Sequence, residues 1–253
     1  MVGGVTDADH FDRWYADRVS SPAADGYTRR MLALPPDLES TSLLNGAGLD
    51  EIVELLGLRP GQVLLDLACG RGGYGLEIAR RTGCALVGVD FSAVAISQAT
   101  RRAEEPAIPA EFRVGELTAT GLAAASADVV MIVDAYQFAE PKLDALRECL
   151  RVLRPGGRLV VTCWEPADRA DAGLPERLRQ IDLAGQLPEA GFADVVVTGK
   201  PEWWAVERRY WQEALTLEAG DDLALQSMQD EARHVLKTFD GRRRVLATAT
   251  APR

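Results

Sequence analysis

Val63-Leu64-Leu65-Asp66-Leu67-Ala68-Cys69-Gly70-Arg71-Gly72-Gly73-Tyr74-Gly75 decides how this chain is read. Five residues form a short apolar run with one carboxylate inside it. A glycine cluster follows, and then a helical pattern over residues 74–82. Glycines at such a turn let the backbone bend tightly and approach a ligand closely. The helix start beyond them offers unpaired N–H groups. Gly70-x-Gly72-x-x-Gly75 matches the dinucleotide fingerprint, with Asp90 where a ribose-binding acid would sit. Asp66 argues against that ligand. A pyrophosphate beside it would cost on the order of 4 kcal/mol per like-charge pair at 4 Å and an effective dielectric of 20, although water or Arg71 would screen the charge. A phosphate-free cation in the same place would be tolerated or favoured.

The pattern repeats outward from this stretch. Ala85-Leu86-Val87-Gly88-Val89-Asp90 is a second apolar run, followed by Ser92 as an N-cap and a helix to about residue 104. Residues 111–114 form a weaker third run and residues 128–134 a fourth. Residues 142–153 read as a helix with Leu143, Leu146, Leu150 and Leu153 on one face. Arg154-Pro155-Gly156-Gly157 is a turn, residues 158–164 a fifth strand and residues 174–190 a helix. Continuous apolar strands alternating with amphipathic helices predict a doubly wound α/β fold, its parallel sheet covered on both faces. Ligands on such sheets sit beyond the carboxyl ends of the strands. That rule selects residues 66–75, Asp90, Glu116, residues 134–138 and residues 163–165.

The ends differ from this core. Residues 1–48 carry Phe11, Trp14, Tyr15 and Pro35-Pro36 but no clear strand, and read as an N-terminal helical lid. Residues 49–253 form the core domain. Residues 194–198 are a sixth strand and residues 244–250 a seventh. Between them, about residues 201–240, lie two helical stretches near 202–218 and 222–238, the first holding Trp203, Trp204, Tyr210 and Trp211. These are expected to form a cap, so that residues 1–45 and 201–240 roof one pocket.

Composition narrows the function. The chain has 253 residues, 47% hydrophobic and 26% charged, which suits a soluble globular protein. Its net charge of −10 disfavours a nucleic acid partner. No apolar run approaches the roughly 18 residues of a membrane span, and the N-terminus lacks a secretory pattern. The four cysteines, Cys69, Cys84, Cys149 and Cys163, are irregularly spaced, and only His10 and His234 could add imidazole. No metal site and a reduced, cytoplasmic chain are expected, as a monomer or homodimer.

With these segments in order, the chain resembles the class I S-adenosylmethionine-dependent methyltransferases, specifically their bacterial small-molecule branch. VLLDLACGRGGYG (63–75), VGVDFS (87–92), DVVMIVDAYQF (128–138) and LRPGGRLVVT (153–162) carry the resemblance. One departure is Ala68, where the family usually has glycine. The resemblance implies a Rossmann-like sheet of seven strands, the last antiparallel. It also implies S-adenosylmethionine as cofactor, a ligand with an ammonium and a sulfonium and no phosphate. Asp66 and the backbone at Ala68, Cys69, Gly70 and Gly72 would hold its methionine end. Asp90 would accept from both ribose hydroxyls, with Phe91 beside the adenine. Glu116 and Leu117 would contact adenine, and Asp134 and Ala135 would lie near the sulfonium and amino group. Tyr15, with Trp14, would close over the cofactor.

The implied reaction is an in-line displacement to a small organic acceptor, such as a natural product or other secondary metabolite. Orientation contributes about 7–11 kcal/mol to such a step, so no catalytic residue is obligatory. His234 and Glu165 are the candidate bases, with His10 a weaker one. Tyr136, Gln137, Trp164, Trp203, Trp204 and Tyr210 are expected to line the acceptor pocket; the competing role for the cap rings is to fix the cap on the sheet. Two alternatives stay open: a non-methylating member of the same fold, such as a cyclase or partner protein, and an NAD(P)-dependent oxidoreductase.

Overall fold

A computed structural model of the chain describes residues 12, 15, 16, 21–40, 42–104 and 108–253. His10, Phe11 and Trp14 lie outside these residues. Two helices precede the sheet, α1 (Pro22–Leu32) and α2 (Gly46–Leu56). Ser21 and Asn45 start them, each side chain accepting the backbone N–H three residues on, from Ala24 and Gly48. Helix α2 begins at Gly46, so the sequence boundary at residue 48 falls inside an element.

The core then alternates as its apolar runs require: β1 (Val63–Leu67), α3 (Gly73–Thr82), β2 (Ala85–Asp90), α4 (Ala93–Glu104), β3 (Ala110–Val114), β4 (Ala127–Val133), α5 (Lys142–Val152) and β5 (Leu153–Pro166). Short helices α6 (Glu176–Arg179) and α7 (Leu183–Glu189) lead to β6 (Ala193–Gly199). The cap helices α8 (Pro201–Ala214) and α9 (Leu223–Lys237) precede β7 (Arg242–Thr250). The seven strands form one sheet in the order β3-β2-β1-β4-β5-β7-β6. Strands β1 to β5 are parallel, and β7 runs antiparallel between β5 and β6. The central strands bury almost every side chain, because helices cover both faces.

Three expectations change in detail. The helix expected over 174–190 is two helices, since the Asp182 side chain accepts from the Gly185 N–H and starts a new one. The stretch expected over 202–218 stops at Ala214, and Asp222 caps its successor through the N–H groups of Ala224 and Leu225. The Arg154–Gly157 turn is absorbed into β5, which pairs with β4 from Leu153 onward. No helix among the described residues is long and apolar enough to cross a membrane.

Strand β7 carries one consequence for the site. Because it is antiparallel, its first residues lie at the carboxyl edge of the parallel strands. Arg244 sits opposite Trp164, and Arg243 opposite Glu165. Three consecutive arginines, Arg242 to Arg244, therefore enter the sheet on the ligand side.

Candidate cofactor and acceptor site

The turn after β1 is built on left-handed backbone. Ala68, Gly70 and Gly72 have φ of 61°, 52° and 78°. Alanine at 68 is the strained member, since its Cβ crowds the following carbonyl there. Gly72 starts α3 without a side-chain cap; the Gly75 N–H bonds the Asp66 carboxylate, and the other first-turn N–H groups are left for a ligand. A Cβ on Gly75 would lie 2.6 Å from Asp66 Oδ2, which fixes glycine where the helix crosses the carboxylate.

Two carboxylates face each other around this turn. Asp90 is 3% exposed; its Oδ2 accepts from Gly70 N at 2.8 Å and its Oδ1 from Ser92 N at 2.9 Å. It therefore pins the glycine turn, and each oxygen keeps a lone pair for a further donor. Asp66 is equally buried. Burial first, and then the neighbouring Asp90 charge, pushes Asp66 up to about 7, while burial pushes Asp90 up to about 6. Among the described residues no lysine or arginine pairs with either. Arg71, the one basic side chain in the turn, is committed elsewhere: it binds Asp25 of α1 through two nitrogens, at 2.6 and 3.0 Å. Its charge is thereby largely offset before any ligand binds. Two buried carboxylates that take backbone N–H groups but no cation suit a ligand that brings cationic charge and hydroxyl donors, and S-adenosylmethionine fits that donor set.

At the end of β4, Asp134 adopts φ 55° and turns its carboxylate into a knot of contacts. It accepts from Ser42 Oγ at 2.9 Å, Leu43 N at 3.0 Å and Thr162 Oγ1 at 2.8 Å, and pairs with Arg244 at 2.8 Å. These partners come from the N-terminal segment, β5 and β7. The Asp134 carboxylate is thus saturated by protein donors, and Ala135 follows it at the same edge. Gln137 donates its amide to Asp134 O at 2.6 Å. Tyr136 is fully buried, its hydroxyl donating to Gln186 Oε1 at 3.1 Å on α7.

The two covering segments reach the same edge. Besides Ser42 and Leu43, the Asp12 carboxylate accepts from Ser92 Oγ, and the Tyr15 hydroxyl lies 2.8 Å from a Cβ built on Gly70. From the cap, Glu207 of α8 is 1% exposed and accepts the Trp164 indole N–H at 2.7 Å. Glu207 also lies 3.6 Å from Arg244 and 3.4 Å from Arg242, and the Arg244 guanidinium stacks 4.3 Å over the Trp164 ring. A continuous buried charge chain, Asp134–Arg244–Glu207, therefore ties strand β4 to the cap.

The remaining expected residues take varied places. Phe91 and Leu117 are half-buried and Glu116 is exposed, in the turns after β2 and β3. Trp203 is buried under Lys200 and against Gly48 of α2. Half-buried Trp204 donates to Arg242 O at 3.2 Å, and Tyr210 packs on Tyr27 of α1 with centroids 5.1 Å apart. These three rings bind the cap to α1, α2 and β7. Glu165 accepts from Leu183 N at 2.9 Å and Arg243 at 2.7 Å, which occupies it as the start of α7. His234 is exposed in the last turn of α9. Sequence reasoning did not find Asp25, Ser42, Thr162, Glu207 or Arg244. The run of three arginines at the head of β7 was the available signal for the last.

The sequence core and the fold are similar to those of known proteins. Residues 64–157 match the family described as "Methyltransferase domain". That match runs from β1 to the start of β5, the part of the sheet that carries the glycine turn. A phosphoethanolamine N-methyltransferase of Arabidopsis thaliana is 31% identical over 60% of this chain and 33% of its own length. The chain thus spans about a third of that relative. The structure of a Haemonchus contortus phosphoethanolamine N-methyltransferase in complex with S-adenosylmethionine is similar in fold, with TM-score 0.79 and 19% identity over 99% of this chain and 61% of that one. So is a [4+2]-cyclase, with TM-score 0.69 and 20% identity over 97% and 96%.

Proposed function

We propose that this chain binds S-adenosylmethionine at the Asp66–Gly75 turn and transfers its methyl group to a small organic acceptor. The observation that carries the reading is the pair of buried carboxylates, Asp66 and Asp90, with no basic partner among the described residues. The cofactor, when bound, supplies a methyl group activated by positive sulfur. Asp90 accepts ribose hydroxyls while it keeps the turn in shape. Asp66, ionised beside a cation, holds the amino end. Ala68, Cys69, Gly70 and Gly72 present backbone groups, and Phe91, Glu116 and Leu117 border the base. The N-terminal segment at Tyr15, Ser42 and Leu43 and the cap at Glu207 exclude water from the edge between them, and holding two reactants in line is the main contribution such a site makes.

The acceptor side lies between Ala135, Tyr136, Gln137 and Trp164. We assign it a secondary metabolite in a cytoplasmic bacterial setting, and a chain that acts as monomer or homodimer. His234 remains a candidate base for a hydroxyl acceptor, whereas Glu165 would have to give up Arg243 or the Leu183 N–H to serve as one. The phosphoethanolamine methyltransferase relative makes a small amine a first acceptor to try. The fold likeness to a cyclase favours one second reading, a chain that keeps the cofactor and transfers no methyl. Incubation with labelled S-adenosylmethionine and a panel of amines, phenols and enols separates them. Methyl transfer to one acceptor is expected. Tight cofactor binding with no methylated product across the panel would favour the second reading.

A further inference from the structure

The glycine turn is gripped from behind by four charged groups. Arg71, 2% exposed, makes a two-pronged pair with Asp25 of α1, and its Nη1 also lies 3.3 Å from Glu39. Arg102 of α4 pairs with the same Glu39 and donates to the backbone oxygens of Glu39 and Arg71, each at 3.4 Å. Among the described residues these two arginines and two carboxylates offset one another, with Arg29 of α1 a further cation acting on Arg102. The backbone is shaped for it as well. A Cβ on Gly73 would collide with the Glu39 carbonyl, so glycine at this position makes room for the N-terminal segment.

We propose that Arg71 and Asp25 are positioning residues for the cofactor: their pair docks α1 and residues 38–40 on the glycine turn and so sets how long the bound cofactor is retained. The inference rests on the reading that this turn holds the cofactor. Neither side chain acts on the ligand. Arg71 lies between Gly70 and Gly72, whose backbone contacts it, so any slack in the guanidinium anchor is passed to the N–H groups that face the ligand. The same anchor holds the start of the segment that continues to Ser42 and Leu43 on Asp134. Release of the ligand then requires the cover and the turn to part, and the ion pair opposes that step. A planar fork matched to a carboxylate is what this geometry uses; a lysine would keep the charge and lose the fork.

Stopped-flow displacement of S-adenosylhomocysteine from the 253-residue chain tests the proposal. Asp25→Asn and Arg71→Lys are each expected to raise its dissociation rate about tenfold with a smaller change in association. They are also expected to weaken the ligand-induced protection of amides 22–34 in hydrogen exchange. A merely structural pair would lower the melting temperature with and without ligand alike and leave the dissociation rate within about twofold of wild type, which would overturn the proposal. If both variants fail to fold, Glu39→Gln decides, because that carboxylate is only partly buried at the edge of the cluster. A rate raised at least about threefold supports the proposal and an unchanged rate overturns it. Wild-type chain that binds no S-adenosylhomocysteine at all would refute the cofactor assignment; binding with unaltered kinetics in the variants would refute the positioning role alone.

Discussion

Asp66 and Asp90 make opposite demands on the ligand-free and ligand-bound chain. A carboxyl held near 7 in the fold against 3.8 when unfolded keeps its proton longer when folded. Its contribution to stability is complete below about pH 4 and is lost as pH rises toward 7. A cationic ligand reverses the preference, because it favours the ionised form. Affinity for S-adenosylmethionine should therefore fall as pH drops below about 7, with proton release on binding that calorimetry in buffers of different ionisation enthalpy would detect. Asp66→Asn should flatten the pH dependence of the ligand-free melting temperature, and an unchanged slope would remove Asp66 as its source. Asp90→Ala should weaken S-adenosylhomocysteine binding by about 1.5–3 kcal/mol, the scale for hydrogen bonds to a charged group. Unaltered calorimetric affinity would take Asp90 out of the site. At Ala68 the left-handed backbone carries an alanine at a cost of about 1–2 kcal/mol. Glycine returns part of this as unfolded-state entropy, so Ala68→Gly should stabilise the chain by about 0.5–1 kcal/mol in urea denaturation. These residues were legible because the turn is local: spacing alone puts Asp66, the glycines and Asp90 in one place.

Contacts between elements were much less legible. Arg244 and Asp134 are 110 positions apart, and Trp164 and Glu207 are 43 apart. No periodicity pairs such residues; only the antiparallel entry of β7 at the carboxyl edge brings them together. The apolar runs located all seven strands, six of them to within two residues; β5 begins five residues earlier than its apolar run, at Leu153, because the Arg154–Gly157 stretch joins the strand. Helix ends were read less well where a second cap intervened, at Asp182 and Asp222. The aromatic cap helix looked like a pocket wall in sequence, whereas its rings are largely spent on α1, α2 and β7. The Asp134–Arg244 pair gives the sharpest expectation at this scale. Arg244→Met leaves Asp134 buried without its cation and Glu207 with Arg242 alone, and should cost about 3–5 kcal/mol in urea unfolding. The double variant Asp134→Leu, Arg244→Met should cost less than the sum of the two single changes. Strict additivity would mean that the two groups do not act as a pair.

For the molecule as a whole, the sheet places its ligand edge between two covers that belong to distant parts of the chain. Asp12, Tyr15, Asp25, Glu39, Ser42 and Leu43 come from one side, and Glu207 with the Trp164–Arg244 stack from the other. The central assignment is the chemistry of what lies beneath them: a phosphate-free cation with an adenosine, gripped by carboxylates. A crystal structure of the chain grown with S-adenosylhomocysteine tests this most directly. The account predicts density for an adenosyl thioether along the Ala68–Gly72 turn, its ribose hydroxyls on Asp90 and its amino group beside Asp66. A diphosphate at that turn, or an adenosyl thioether bound elsewhere, would contradict it.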